Sequence, residues 1–205
     1  MSDDLIQQYR DIHSREKYGN TSVKNLPYLL PHIDDLNPSS IVDFGCGQSI
    51  LVDELSSACG AQGVRYDPAI PAYSAKPAGR FDLLLNIDVL EHVPETALDD
   101  LIGEMAGMAD NAIIVIDTGP AVLILPDGRN AHISQFPQDW WARKLARHFS
   151  YLEPIRVRST RRAAFKTWRT SPNRTFTDLR LFIGAEANYR WRKLFGTGAG
   201  STRTA

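Results

Sequence analysis

A short apolar run, Ser40-Ile41-Val42-Asp43-Phe44, passes without a break into Gly45-Cys46-Gly47. The β-branched residues in that run mark it as a buried strand. Ser49 then opens a helical pattern with Ile50, Leu51, Leu55 and Ala58 on its apolar face, and Gly60 closes it. Two glycines at this spacing occur by chance in many chains, but their place directly between an apolar strand and a helix gives them weight. Glycine allows backbone angles, or a closeness of approach, that a side chain blocks. The main chain can then pass flush against a ligand, while the helix offers its first N–H groups.

The rest of the chain supplies the setting for that turn. Gln62–Tyr66 reads as a second strand, stopped by Asp67-Pro68, Phe81–Ile87 as a third and Ala112–Asp117 as a fourth, with a helix from Pro94 to Met108 between the last two. This alternation predicts an α/β fold with a Rossmann-like, mostly parallel sheet and helices on both faces. Only 13 residues separate Asp67 from Phe81, and Pro68, Pro71 and Pro77 are among them. That is too short for a helix and a strand, so the crossover after the second strand is shortened to a loop. Leu152–Arg158 and Ala163–Trp168 read as an antiparallel closing pair, which makes the last strand antiparallel.

Flanking segments fill in the outline. Leu5, Ile6, Tyr9 and either Ile12 or His13 fall on one face of a helix that Ser2 can cap and that Gly19 ends. A second helix, Val23 to Ile33, is interrupted by Pro27 and Pro31. Ala121–Leu125, the turn Pro126-Asp127-Gly128 and Ala131–Ser134 form a hairpin or lid. Pro137 starts a helix through Trp140, Trp141, Leu145 and Phe149. The expected organisation is an N-terminal helical cap over 1–38, a core over 39–170 with its lid at about 119–136, and a basic extension over 171–205 whose end is disordered.

Composition excludes several classes. With 43% hydrophobic and 23% charged residues, the 205-residue chain is globular and not disordered throughout. Its apolar runs are too short to cross a bilayer, and the acidic start carries no signal core, so a cytoplasmic protein with no membrane partner is expected. Cys46 and Cys59 make no disulfide framework. Charge is uneven. Residues 151–205 carry 12 Lys/Arg against 3 Asp/Glu, and residues 1–150 carry 11 against 21. Such a basic segment either attracts nucleic acid or pairs with the acidic body; its scattered arginines favour pairing. The sequence carries no signal for an oligomeric state.

Asp67, at the end of the second strand and 22 residues after Gly45, suits both hydroxyls of a ribose. A dinucleotide site would want a third glycine at position 50, where Ile50 stands. The order DFGCG, YDP and then FDLLLNIDVLEHV resembles the class I methyltransferases that use S-adenosylmethionine (SAM), over about Ser40 to Asp117. The resemblance implies that Asp43, Gly45, Gly47, Asp67, Asn86 and Asp88 bind the cofactor, and that Tyr18 and Gly19 close over it. Ser49 departs from the pattern, since many members have glycine there. Tyr66-Asp67-Pro68, the Lys76-Pro77 loop, Leu125 to His132 and Trp140-Trp141 are similar to short bacterial and phage methyltransferase-like proteins.

Methyl transfer often needs a base for the acceptor's proton, and histidine serves near neutral pH. His92 follows the third strand and His132 lies in the lid, so both are candidate catalytic residues. Arg129 and Asn130 are candidate substrate-binding residues. Glu91 either meets the cofactor's amino group or caps a helix. No metal is expected, because His92, His132 and Asp117 lack metal-type spacing. The implied function is methylation of an O or N atom of a small molecule, a sugar or specialised metabolite. The alternatives are a nucleic-acid methyltransferase and a non-catalytic SAM-binding module.

Overall fold

A computed structural model describes residues 3–15, 19 and 22–195 of the chain. In chain order these hold α1 (Asp3–Arg15), a 3₁₀ turn (Ser22–Asn25), α2 (Leu26–Leu36), β1 (Ser40–Phe44), α3 (Leu51–Cys59) and β2 (Gln62–Tyr66). Then follow β3 (Phe81–Ile87), α4 (Glu95–Met108), β4 (Ala109–Asp117), α5 (Gln138–Leu145), β5 (Glu153–Pro154), β6 (Arg162–Lys166) and α6 (Thr175–Phe195).

The strands form one six-stranded sheet in the order β2-β1-β3-β4-β6-β5. The first four are parallel, β6 runs antiparallel to β4, and β5 antiparallel to β6. Between Tyr66 and Phe81 only a 3₁₀ turn at Pro71–Tyr73 interrupts the loop, so β2 stays at the edge. The chain leaves β1 toward β2 and then returns past β1 to β3. This reversal opens a crevice at the carboxyl ends of β1 and β3, where ligands bind in such sheets.

Strand alternation sorts the core into two layers. Val42, Leu84, Ile114 and Ile116 face Leu98, Ile102 and Met105 of α4 and Trp141 and Leu145 of α5. Ile41, Leu83, Leu85, Ile113 and Val115 face Leu29 and Ile33 of α2 and Leu51, Val52 and Leu55 of α3. Both sheet faces are therefore covered, which explains why these strands are apolar on consecutive positions.

Several local expectations are corrected. On α3 the buried positions are Leu51, Val52, Leu55 and Ser56, whereas Ile50 is exposed and Ala58 faces solvent. Residues 121–134 hold the expected hairpin only in short form: an antiparallel bridge, Ile124 to Asn130, with Leu125 N–H donating to Arg129 O and Ala131 N–H to Leu123 O, closes a compact loop. Asn130 builds that loop, accepting from the Ala121 and His132 N–H groups and donating to Ala121 O. β5 keeps only two residues, Glu153–Pro154, although Ile155 N–H still donates to Ala164 O of β6 at 2.9 Å. From Thr175 the chain forms a 21-residue helix where the sequence predicts no element. The expected helix cap at Ser2 and the disordered end at 196–205 lie outside the described residues.

The helix α6 is tied to the body by charge. Arg174 pairs with Asp34 and Asp35, Arg158 with Glu186, and Arg192 with Glu54. Tyr28 of α2 meets Phe182 edge-on, with ring centroids 5.0 Å apart.

Candidate active site

The glycine turn starts where β1 ends. Gly45 and Cys46 both donate their N–H groups to Tyr66 O, which locks the turn to the end of β2. Gly45 and Gly47 have φ of 80° and 53°. A Cβ on Gly45 would lie 2.6 Å from a methyl of Val89, and one on Gly47 would lie 2.8 Å from Gly19 O. Any side chain here is thus excluded twice, by backbone angle and by space. The segment at Gly19 lies directly on the turn.

A cavity of about 250 Å³ sits against this turn, at the carboxyl ends of β1 and β3. Gly45, Gly47, Asp67, Asp88 and His92 form its polar wall, and Tyr9 of α1 covers it from the other side. The Asp67 carboxylate accepts from Gly47 N–H at 2.9 Å and Ala69 N–H at 2.8 Å, one bond per oxygen. Each carboxylate oxygen has further lone-pair capacity for a ligand hydroxyl. Asp43 lies under the turn, 2% exposed; burial and the Asp67 charge push its carboxyl up to about 7. Asn86 is buried and donates to Phe44 O at 2.9 Å, so it braces the turn from below and does not line the cavity.

Asp88 has φ 58°, unusual for a residue with a Cβ. Antiparallel pairing of β6 with β4 sets Arg162 opposite Asp117. From there Arg162 grips Asp88 with two bonds of 2.7 and 2.9 Å. Arg161 takes Asp117 at 2.6 Å. Burial opposes the charged form of Asp117, but the Arg161 and Gly119 hydrogen bonds hold its carboxyl below the usual range.

Beyond Asp88 two histidines meet, with ring centroids 4.9 Å apart. His92 Nδ1 lies 2.8 Å from the Tyr9 hydroxyl and 2.9 Å from Ala131 O; His132 Nδ1 lies 2.5 Å from Gly119 O. Burial, reinforced by the nearby His132, lowers His92 to about 4, so its ring is neutral at physiological pH. Glu91 is fully buried between them and the sheet, and burial and the Asp88 charge raise its carboxyl.

Sequence-predicted residues therefore separate into groups. Gly45, Gly47, Asp67, Asp88 and His92 line one cavity, with His132 packed behind His92. Asp43 and Asn86 support the turn. Arg129 pairs with Asp127 on the loop surface, and Asn130 is spent on the loop itself; neither lines the cavity. Tyr18 lies outside the described residues. Tyr9 and His13 also line the cavity, although the sequence marks them only as helix-face positions. Both stand at helical spacing on the apolar face of α1, where a polar ring is the signal that was available.

A family model described as a methyltransferase domain matches residues 13–162. No curated protein matches the sequence. Among solved structures, the N1-methyltransferase for 1,6-didemethyltoxoflavin from Burkholderia thailandensis, crystallised with S-adenosylhomocysteine, is 14% identical with a TM-score of 0.57, over 82% of this chain and 86% of that one. The magnesium protoporphyrin IX methyltransferase from Synechocystis PCC 6803, also with S-adenosylhomocysteine, is 17% identical with a TM-score of 0.54, over 80% and 95%. Human N-acetylserotonin methyltransferase in complex with SAM is 13% identical with a TM-score of 0.53, over 82% of this chain and 55% of that one. With the glycine turn, the reversed strand order and nearly three-quarters of its length inside that model, the chain belongs to the family of methyltransferase domains.

Proposed function

We propose that this chain transfers a methyl group from SAM to an O or N atom of a small molecule. The observation that carries the reading is the single cavity wall shared by the Gly45–Gly47 turn, Asp67 and His92. The residues present suit SAM. Two glycines leave no side chain between the turn and a ligand, and a carboxylate stands at the end of β2 for ribose hydroxyls. When bound, SAM supplies an electrophilic methyl on a positively charged sulfur. Asp67 would hold the ribose, and Asp88, fixed by Arg162, would meet the cationic end. His92 and His132 stand at the far end, where an acceptor's departing proton must be handled.

Support for a small acceptor comes from the cover. Ile6 and Tyr9 of α1 line the cavity, and α1 is held there by the packing of Leu5 and Tyr9 on Leu125 and Ala131 of the loop. The C-terminal cations give little support to the nucleic-acid alternative, because Arg158, Arg161, Arg162, Lys166, Arg174, Arg190 and Arg192 each pair with a carboxylate.

Calorimetry with S-adenosylhomocysteine tests the cofactor. Asp67→Ala is expected to weaken binding by about 1–3 kcal/mol, the value of lost polar contacts to a buried ligand. Unchanged affinity would remove the ribose role, and no binding by the wild-type chain would remove the cofactor. Labelled SAM with fractionated extracts then reports methyl transfer.

A further inference from the structure

Glu91, His92 and His132 are all buried, and one ligand-type atom of each lies within 4.8 Å of the others. The second polar atom of each is held by the main chain. Glu91 Oε1 accepts from Asp117 N–H at 3.0 Å. A carbonyl oxygen cannot donate, so Gly119 O puts the His132 proton on Nδ1. His92 Nδ1 meets Ala131 O at 2.9 Å and the Tyr9 hydroxyl at 2.8 Å, and with Tyr9 donating to Ala131 O the same tautomer lets His92 Nδ1–H donate to both oxygens. Each ring then carries its lone pair on Nε2. Metal-bound histidines are oriented in the same way, with the second ring N–H tied to a carbonyl or carboxylate.

The carboxylate adds an independent sign. Glu91 Oε2 has no hydrogen-bond partner among the described residues, although the side chain is 0% exposed. A buried acceptor left unpaired is costly. Its acidic neighbours are already answered by cations, Asp88 by Arg162 and Asp117 by Arg161. Glu91 has no such ion pair among the described residues.

We propose that Glu91, His92 and His132 bind a divalent cation through Oε2 and the two Nε2 atoms. Two imidazoles and one carboxylate suit zinc, with a coordination position left open, and also manganese or iron. Magnesium is disfavoured, since it takes oxygen ligands. Bonds of 2.0–2.1 Å in a tetrahedral zinc shell place ligand atoms about 3.4 Å apart. From within 4.8 Å of one another the three ligand atoms have up to about 1.4 Å to close on the cation. His92 lines the cavity, so the open position faces the acceptor end. An acceptor hydroxyl bound there is acidified, as metal-bound water is, and releases its proton to solvent. The acceptor class is then hydroxyl-bearing. That last step rests on the methyltransferase reading; the cation site does not.

The test uses the full chain after chelator treatment, without SAM or acceptor. Zinc is titrated by calorimetry and cobalt(II) by its visible absorption. One equivalent is expected to bind, and Glu91→Gln and His132→Gln are each expected to weaken binding at least 10-fold. Circular dichroism establishes that each variant is folded, and glutamine, near-isosteric with Glu91, protects that variant against simple misfolding. X-ray absorption on the zinc-loaded wild type should show imidazole scattering. Absence of saturable one-equivalent binding in the wild type overturns the proposal, as does wild-type affinity in both folded variants. Asp67→Ala is expected to keep the metal while losing S-adenosylhomocysteine affinity, which separates failure of this site from failure of the cofactor reading.

Discussion

Asp43 shows how one residue can set a pH dependence for the whole fold. It is the penultimate residue of β1, beneath the glycine turn, and its carboxyl is raised from 3.8 to about 7 by burial first and by the Asp67 charge second. The folded chain therefore keeps a proton that the unfolded chain releases between about pH 4 and pH 7. Stability is full below the unfolded value, falls as pH rises through that window, and levels off above about 7. The total loss is roughly 4 kcal/mol if the displacement is realised in full. Urea unfolding of the ligand-free chain at pH 5 and pH 8 measures it. Asp43→Asn should lack this slope and gain on the wild type at pH 8. Parallel slopes in the two proteins would show that Asp43 is already ionised at pH 5.

At the scale of elements, the loop after β4 governs the acceptor end. Asn130 satisfies three main-chain groups of residues 121–132, and Tyr9 of α1 donates to Ala131 O at 3.3 Å. Asn130→Ala leaves those groups unpaired, at a cost of about 1–3 kcal/mol confined to the loop. Hydrogen exchange over 121–133 should accelerate about 10- to 100-fold, while β4 and α4 keep their protection. Equal acceleration throughout would mean that the loop and the sheet open as one unit. This loop also marks the limit of what the sequence shows. β1, β2 and β3 were legible to the residue, β1 as an apolar run stopped by Gly45, β2 as a short stretch between Gly60 and Asp67-Pro68, and β3 as a mostly apolar run. The loop was not, since Asn130 acts through contacts with residues near in space that no periodicity encodes. The helix α6 was missed for a related reason. None of its residues is buried, so it lacks the apolar stripe that marks a core-facing helix, and its anchors are ion pairs to α2 and α3.

Over the whole molecule, the two ends of the sheet are built differently. Between the layers the core is continuous and apolar. At the carboxyl ends of the strands stand the left-handed Asp88, Gly45 and Gly47 at positive φ, and the buried Asn86 Oδ1 and Glu91 Oε2, which have no hydrogen-bond partner among the described residues. The glycine turn and Asp88 place backbone strain beside the cavity, while the packed layers supply the stability to hold it. A ligand that meets this end should stabilise the molecule as a whole. At 100 times its dissociation constant, S-adenosylhomocysteine adds about 2.7 kcal/mol. For a domain of this size that corresponds to a rise in Tm of about 5–10 °C. Gly47→Ala places a Cβ 2.8 Å from Gly19 O in a backbone with φ 53°, so the turn and the segment lying on it must part. The variant is expected to melt as a folded protein and to show little or no rise at the same ligand concentration. A full rise in Gly47→Ala would mean that the ligand contacts the cavity through Asp67 and Asp88 without using the turn, and the glycines would then serve only the packing of Gly19 and Val89 against β1.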